Sequence, residues 1–248
     1  MLLFMLFIMG LIIGSFLNVV IYRVPRGESI VFPASHCTNC GKKLAPWELI
    51  PVISYFLLKG RCNECGEKIS IRYPTIETCT GLVFLVNGFI FNDIIIILTG
   101  VILSSILIVL SMIDIDHQIL PDSITLGGLA IGLIISLIRP DLNMLNSIAG
   151  ILAAGGLLFL IAFISKGGIG GGDIKMMAMV GSFLGPLSAT FAIFFGAVIG
   201  LIASLPGIIS GNLKLKSKLP FGPFLALASL VFWFWGNNFW DWYLQLFL

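Results

Sequence analysis

Two groups of residues have the types and spacing for chemistry: aspartates at the ends of apolar runs, and cysteines in two paired knuckles. Asp114, Asp116 and Asp122 fall within Ser111-Met112-Ile113-Asp114-Ile115-Asp116-His117-Gln118-Ile119-Leu120-Pro121-Asp122, and Asp173 follows Gly170-Gly171-Gly172 and opens another apolar stretch. Two carboxylates brought together can share one proton, because nearby like charges disfavour double ionisation. The ionised member then activates a water and the protonated member polarises a peptide carbonyl, as in aspartic proteases. Glycines beside one Asp let a substrate backbone come close. An Asp that opens a helix is also an ordinary cap favoured by the helix dipole. That reading fits Asp122 as a helix N-cap and is open for Asp173. It fits Asp114 poorly, because Asp114 ends its apolar run at the C-terminal side, the wrong end for an anion. An ion site and the proton relay of a transporter are further readings of the same pair.

The cysteines read differently. Cys37-Thr38-Asn39-Cys40 is followed by Gly41-Lys42-Lys43, and Cys62-Asn63-Glu64-Cys65 by Gly66-Glu67-Lys68. Each knuckle offers two thiolates, and the repeated Gly permits a tight turn, the pattern of a tetrahedral zinc site. Cys37, Cys40, Cys62 and Cys65 fill a four-coordinate shell, so the site is expected to be closed and structural. A zinc ion would replace the apolar core that so polar a loop cannot build. A reducing cytoplasmic face argues against disulfides. His36 is read as a bystander and Cys79, in an apolar segment, as core. Pro25, Pro33, Pro46, Pro51 and Pro74 suggest an irregular loop with short strands.

The elements that must position these groups are apolar. Of 248 residues 58% are hydrophobic and only 10% charged, with mean hydropathy +1.08. Soluble domains carry about 25% charged residues, so a soluble globule is excluded, as is a disordered chain. The fold expected is an all-α polytopic membrane protein of about eight transmembrane helices with a small zinc-binding cytoplasmic loop domain. The first apolar segment covers residues 2–22 and lacks the marks of a cleaved leader. Others lie near 75–91, 94–113, 122–138, 143–164, 174–185, 186–209 and 221–236, with a short aromatic piece at 239–248 suited to an interface. The break at Pro186 is equally compatible with one long broken helix.

Lys and Arg in short loops set orientation. If residues 23–72 are cytoplasmic, alternation collects thirteen of the 14 basic residues on that side and leaves only Arg139 opposite. The N-terminus is then outside. No contiguous basic stripe appears, so no nucleic-acid partner is expected.

Several stretches together resemble a known family. Gly170-Gly171-Gly172-Asp173 matches the Gly-x-Gly-Asp motif of intramembrane aspartyl proteases, the group that includes presenilin and the type IV prepilin peptidases. Gly14-Ser15-Phe16-Leu17-Asn18-Val19-Val20-Ile21-Tyr22-Arg23-Val24-Pro25, Ile113–Asp122, Lys218-Leu219-Pro220-Phe221-Gly222-Pro223 and the Cys knuckles are similar to the bacterial prepilin peptidases specifically. The resemblance implies cleavage of the basic leader from type IV prepilins and pseudopilins, then methylation of the new N-terminal amine by S-adenosylmethionine. It implies Asp114 and Asp173 as the catalytic pair, Asp114 because it stands eight positions before the Asp after Leu-Pro. Asp116, Asp122, Gly170, Gly172 and Lys175 would support them, Lys175 by favouring a charged Asp or by holding a substrate carboxylate.

The methyl-transfer half has no strand followed by Gly-x-Gly-x-x-Gly, hence no Rossmann signature. Asn18, Arg23, Glu48, Arg72 and Glu77 are the polar residues there that could meet the cofactor, although Glu77 equally suits a helix's first turn. The domains expected are a first helix 1–22, a methyltransferase-associated zinc loop 23–73 and a protease domain 74–248. The site would face the cytoplasm from a multi-pass bacterial inner-membrane protein of undefined oligomeric state. A protease-only enzyme with a docking or structural zinc loop, and a proton-coupled transporter, are the alternatives.

Overall fold

The computed structural model describes residues 1–209 and 220–245. The stretch 210–219, between the expected segments 186–209 and 221–236, lies outside those residues and with it Lys218 and Leu219 of the 218–223 motif, as do the last three residues of the 239–248 piece. Nine α-helices occur among the described residues: α1 (Leu2–Arg23), α2 (Ile53–Leu57), α3 (Arg72–Ile90), α4 (Ile94–His117), α5 (Asp122–Ile135), α6 (Met144–Gly150), α7 (Gly156–Ile164), α8 (Gly171–Ile209) and α9 (Gly222–Gln245). By length and composition Leu2–Arg26, Ile94–His117, Met144–Ile164 and Gly171–Gly207 can each cross a membrane, and Asp122–Ile135 and Gly222–Gly236 are shorter apolar helices. The all-α polytopic expectation stands. Fewer helices than the eight expected meet full spanning length, because α5 is only 14 residues long and α3 carries Arg72, Glu77 and Asn87.

Several boundaries differ from expectation for local reasons. The 143–164 segment holds a π-helical turn, Ile151–Gly155, between α6 and α7. The two segments meeting at Pro186 form α8, broken at Gly185 by φ 75° and ψ 179°. The chain stays helical past the expected gap at 237–238, so the aromatic piece continues α9. The loop shows only isolated bridges, His36 with Lys43 and Arg61 with Lys68, in place of strands.

The chain divides into two compact units, Met1–Val109 and Leu110–Leu248, with the division inside α4. In unit 1, α1 packs along α3. A Cβ at Gly14 would stand 2.7 Å from the Glu77 Cα, so this contact needs a residue without a side chain, as is common where membrane helices touch. Leu6, Phe84, Ile97 and Val101 form a buried cluster there. Cys79 is exposed on α3, which corrects its reading as core. In unit 2, the buried Met176, Met177, Val180 and Phe183 of α8 form the core with Leu158 and Leu225. Arg139 donates to the Phe183 carbonyl at 2.7 Å, pairs with Asp141 and lies 5.0 Å over the Trp233 ring. A buried guanidinium is tolerated because it is paired with a carboxylate and each of its three nitrogens donates a hydrogen bond.

Candidate active site and metal centre

Asp114 sits in the last turns of α4, against that helix's dipole, and its side chain is buried. The structure supplies the compensation that α4 cannot. The Gly222 N–H, at the first position of α9, donates to Asp114 Oδ2 at 2.9 Å. The carboxylate therefore lies at the C-terminus of its own helix and the N-terminus of another, where exposed N–H groups favour an anion. Asp173 lies in the first turn of α8, half-buried, and the Gly170 N–H donates to its carboxylate.

Asp114 and Asp173 line one cleft of about 320 Å³, together with Gln118, Leu120, Asp122 and Gly170–Gly172. Two carboxylates that line one cleft can share a proton. The glycines of the 170–172 run serve distinct ends. A Cβ at Gly172 would meet the Leu120 Cβ at 2.9 Å and one at Gly170 the Asp173 Oδ2 at 3.1 Å, while Gly171 has open space beside it. The wall next to Asp173 thus leaves backbone accessible to an extended peptide.

The supporting residues sort themselves by partner. Lys175 Nζ donates to both Asp122 carboxylate oxygens at 2.7 Å, joining the starts of α5 and α8. Its charge is therefore engaged by Asp122. Asp122 is the first residue of α5 with Pro121 at the cap position, so its carboxylate serves the ion pair in place of the expected N-cap. Asp116 is exposed on the last turn of α4 and is not among the residues of the cleft. Gly222 and Gln118 carried no role from the sequence. Gly222 was visible as part of the 218–223 motif, but nothing in the spacing ties it to Asp114.

The four knuckle sulfurs gather as expected. The Sγ atoms of Cys37, Cys40, Cys62 and Cys65 all lie within 4.8 Å of one another, Cys37 and Cys65 at 3.9 Å. A tetrahedral ion with metal–sulfur bonds of about 2.3 Å needs sulfurs about 3.8 Å apart, so the cluster fits one. The two knuckles repeat atom for atom. Cys37 N donates to Lys42 O and Gly41 N to Cys37 O, both at 2.9 Å; Cys62 N donates to Glu67 O at 2.8 Å and Gly66 N to Cys62 O at 3.0 Å. Gly41 and Gly66 turn with φ 72° and 71°, a region that suits glycine. The backbone N–H groups of Cys65 and Glu64 bring the Cys62 thiol down to about 7, towards the thiolate a metal needs. His36 bonds the Ala34 carbonyl at 3.0 Å and stands outside the cluster.

The five polar residues set aside for a cofactor are placed on the loop and its two flanking helices. Asn18 donates to the carbonyls of Gly14 and Tyr73 at 3.2 Å. Arg23 donates to Ser29 O at 2.9 Å and Pro33 O at 2.7 Å. Glu48 accepts from Ala45 N at 2.7 Å and Lys42 Nζ at 3.2 Å, and these contacts hold its carboxyl below the usual range. Glu77 accepts from Val52 N at 2.7 Å. Val52 has φ 63° and ψ −51°, with Ile53 N donating to Pro51 O across it, a strained γ-turn for a β-branched residue. Arg72 opens α3 and is also engaged. Arg23, Glu48 and Glu77 thus fasten the loop, and Asn18 ties α1 to the start of α3.

Comparison with known proteins adds an independent line. Residues 8–91 match the model of the bacterial peptidase A24 N-terminal domain and residues 101–205 that of the type IV leader peptidase family. A prepilin leader peptidase/N-methyltransferase of Bacillus subtilis (strain 168) is 37% identical over 243 residues, 97% of each chain. One from Pseudomonas putida is 32% identical over 93% of this chain and 90% of its own. A type 4 prepilin-like proteins leader peptide-processing enzyme of Escherichia coli O78:H11 is 37% identical over 90% of both. No solved structure matches.

Proposed function

The chain belongs to the type IV leader peptidase family, and from that premise we propose that Asp114 and Asp173 cut the leader from type IV prepilins and pseudopilins at the cytoplasmic face of the bacterial inner membrane. The chain is a membrane-embedded prepilin peptidase with N-methyltransferase activity. The observation that carries the residue assignment is one cleft that brings together Asp114 of α4 and Asp173 of α8, the first placed against its own helix dipole, while the third carboxylate there, Asp122, is engaged by Lys175.

In the proposed reaction the pair shares one proton. The charged carboxylate takes a proton from water as the water oxygen attacks the scissile carbonyl. The protonated carboxyl gives its proton to the developing oxyanion. Collapse of the tetrahedral intermediate breaks the C–N bond as the carboxyl that took the water's proton passes it to the leaving amine, and a hydroxyl of the intermediate returns a proton to the other carboxylate, restoring the one-proton pair. The open backbone at Gly171 offers an edge along which the extended peptide lies.

Zinc is proposed as the ion of the four-cysteine cluster. Cys37, Cys40, Cys62 and Cys65 would hold it, and with four thiolates it would supply folding energy only. Methylation of the new amine calls for an electrophilic methyl donor, and S-adenosylmethionine is proposed in that role. No step is assigned to Asn18, Arg23, Glu48, Arg72 or Glu77.

The test uses purified protein, a prepilin substrate and a pre-cleaved pilin. Asp114→Asn and Asp173→Asn should each lower cleavage by about 10²–10⁴-fold, the usual worth of a general acid or base, with methylation of the pre-cleaved pilin retained. Wild-type cleavage by either variant overturns the assignment.

A further inference from the structure

The 218–223 motif has no part in the chemistry above, yet the start of α9 touches the reacting pair. We propose that Gly222 is a positioning residue: its backbone N–H fixes Asp114 Oδ2, leaving Oδ1 as the oxygen that works on water and substrate. The inference rests on the assignment of Asp114 to the cleaving pair.

Three observations support it. Gly222 N reaches Asp114 Oδ2 at 2.9 Å across 108 residues of sequence. No neighbouring donor on α9 can replace it. Pro223 has no N–H, and those of Phe224 and Leu225 turn to the Phe221 carbonyl at 3.1 and 3.2 Å. Finally, only glycine fits. A Cβ at position 222 would stand 2.9 Å from Asp114 Oδ2, 3.2 Å from Cγ and 3.3 Å from Cβ. Any side chain there must push the carboxylate or the helix away. The glycine is thus explained by close approach to a charged group, and the proline after it by the surplus of N–H groups at a helix start.

A carboxylate with one oxygen tied to an N–H has one orientation. Its second oxygen then meets water at a fixed angle, and misplacement by about 1 Å costs on the order of 10²-fold in rate. The N–H also favours the charged form. The other titratable or charged groups of the cleft are Asp173 on α8 and Asp122 on α5, the latter engaged by Lys175; Asp116 is exposed on α4.

The experiment compares Gly222→Ala with Gly196→Ala in the full chain. Gly196 of α8 is packed against the same first turn of α9, with a Cβ there meeting Leu225 Cδ2 at 3.1 Å and the Phe224 carbonyl at 3.2 Å, so alanine there strains the start of α9 from another side without touching Asp114. Gly222→Ala should lower kcat for cleavage by about 10²-fold with KM nearly unchanged. The acid limb of its rate profile should move to higher pH by about one unit, and pre-cleaved pilin should still be methylated. Gly196→Ala should lower Tm comparably and keep the wild-type pH profile. A wild-type kcat and profile for Gly222→Ala, or the same loss and shift in Gly196→Ala, overturns the inference. Asp114→Asn run in parallel separates the two levels. If it is inactive while Gly222→Ala is normal, only the positioning role fails; if it cleaves normally, the assignment beneath it fails as well.

Discussion

Three carboxylates in this protein are buried to the same depth, with Glu48 8%, Glu77 7% and Asp114 6% exposed. Burial therefore does not separate structure from chemistry here. Their partners do. In unit 1, Glu48 holds Ala45 N–H and Lys42, and Glu77 holds the N–H of a strained Val52. Each clamps a turn of the loop. In unit 2, Asp114 has one N–H on one oxygen and otherwise faces a cleft that contains a second carboxylate. A buried carboxylate answered by the chain stabilises a fold. One left facing a cavity and a like charge is poised to exchange a proton.

The contrast breaks most visibly if the four-cysteine cluster is kept from holding a metal ion. Structural zinc contributes roughly 10–16 kcal/mol in small domains, far more than the glutamate clamps together can replace. Cys62→Ser, or stripping by a strong chelator, should take metal content from one ion per chain to near zero and open residues 24–71 to protease. Cleavage by unit 2 should fall much less, within about threefold, because a closed four-thiolate site has no catalytic position. Cleavage lost in step with metal would show that the loop belongs to the cutting machinery.

A smaller effect is expected from the Asp122–Lys175 pair, which resembles the clamps of unit 1 but borders the cleft. Its side chains are 59% and 42% exposed, so the pair adds at most about 1 kcal/mol of stability. Its value is in register, since it joins the starts of α5 and α8 beside Asp173. Asp122→Asn and Lys175→Gln should each reduce kcat/KM by about 3–10-fold with little change in Tm, and Asp122→Lys with Lys175→Asp should recover part of the loss. Recovery would place the pair with the fastenings. No recovery, with a loss as large as that of Asp173→Asn, would place Lys175 or Asp122 among the reacting groups.

Much of this was legible in the sequence, and the limits have physical causes. The knuckles were readable because metal ligation is local: two cysteines, a glycine and a fixed turn lie within six residues. The apolar helices were readable because a bilayer demands long unbroken runs. Asp114 announced itself by sitting at the wrong end of a helix. What relieves it, the Gly222 N–H, was not readable, because a backbone donor leaves no residue-type signature and its contact spans 108 residues of sequence. The structural partners of the cofactor candidates were hidden for the same kind of reason: polar side chains near a helix end look alike in sequence whether or not they hold a carbonyl, as Arg23 holds those of Ser29 and Pro33.

The smallest expected effect sharpens the comparison at its other end. The Glu48 carboxyl is held below its ordinary range by the Ala45 N–H first and by Lys42 second. A carboxyl depressed in the folded state adds stability that is present above the unfolded value, roughly pH 4.3, and that disappears as pH falls through the folded one. Glu48 is thus charged throughout the neutral range, and its clamp is blind to pH where the enzyme works. Amide exchange at Ala45 should stay slow and level from pH 8 to about 5 after correction for the intrinsic rate, then accelerate below pH 4. Glu48→Gln should raise exchange at Ala45 about tenfold at neutral pH, the worth of one charge-assisted bond, and remove the acid step. The cleavage profile should not move in this variant, since the carboxylate serves a turn of unit 1. A shift of that profile in Glu48→Gln would join two kinds of buried carboxylate that differ in their partners.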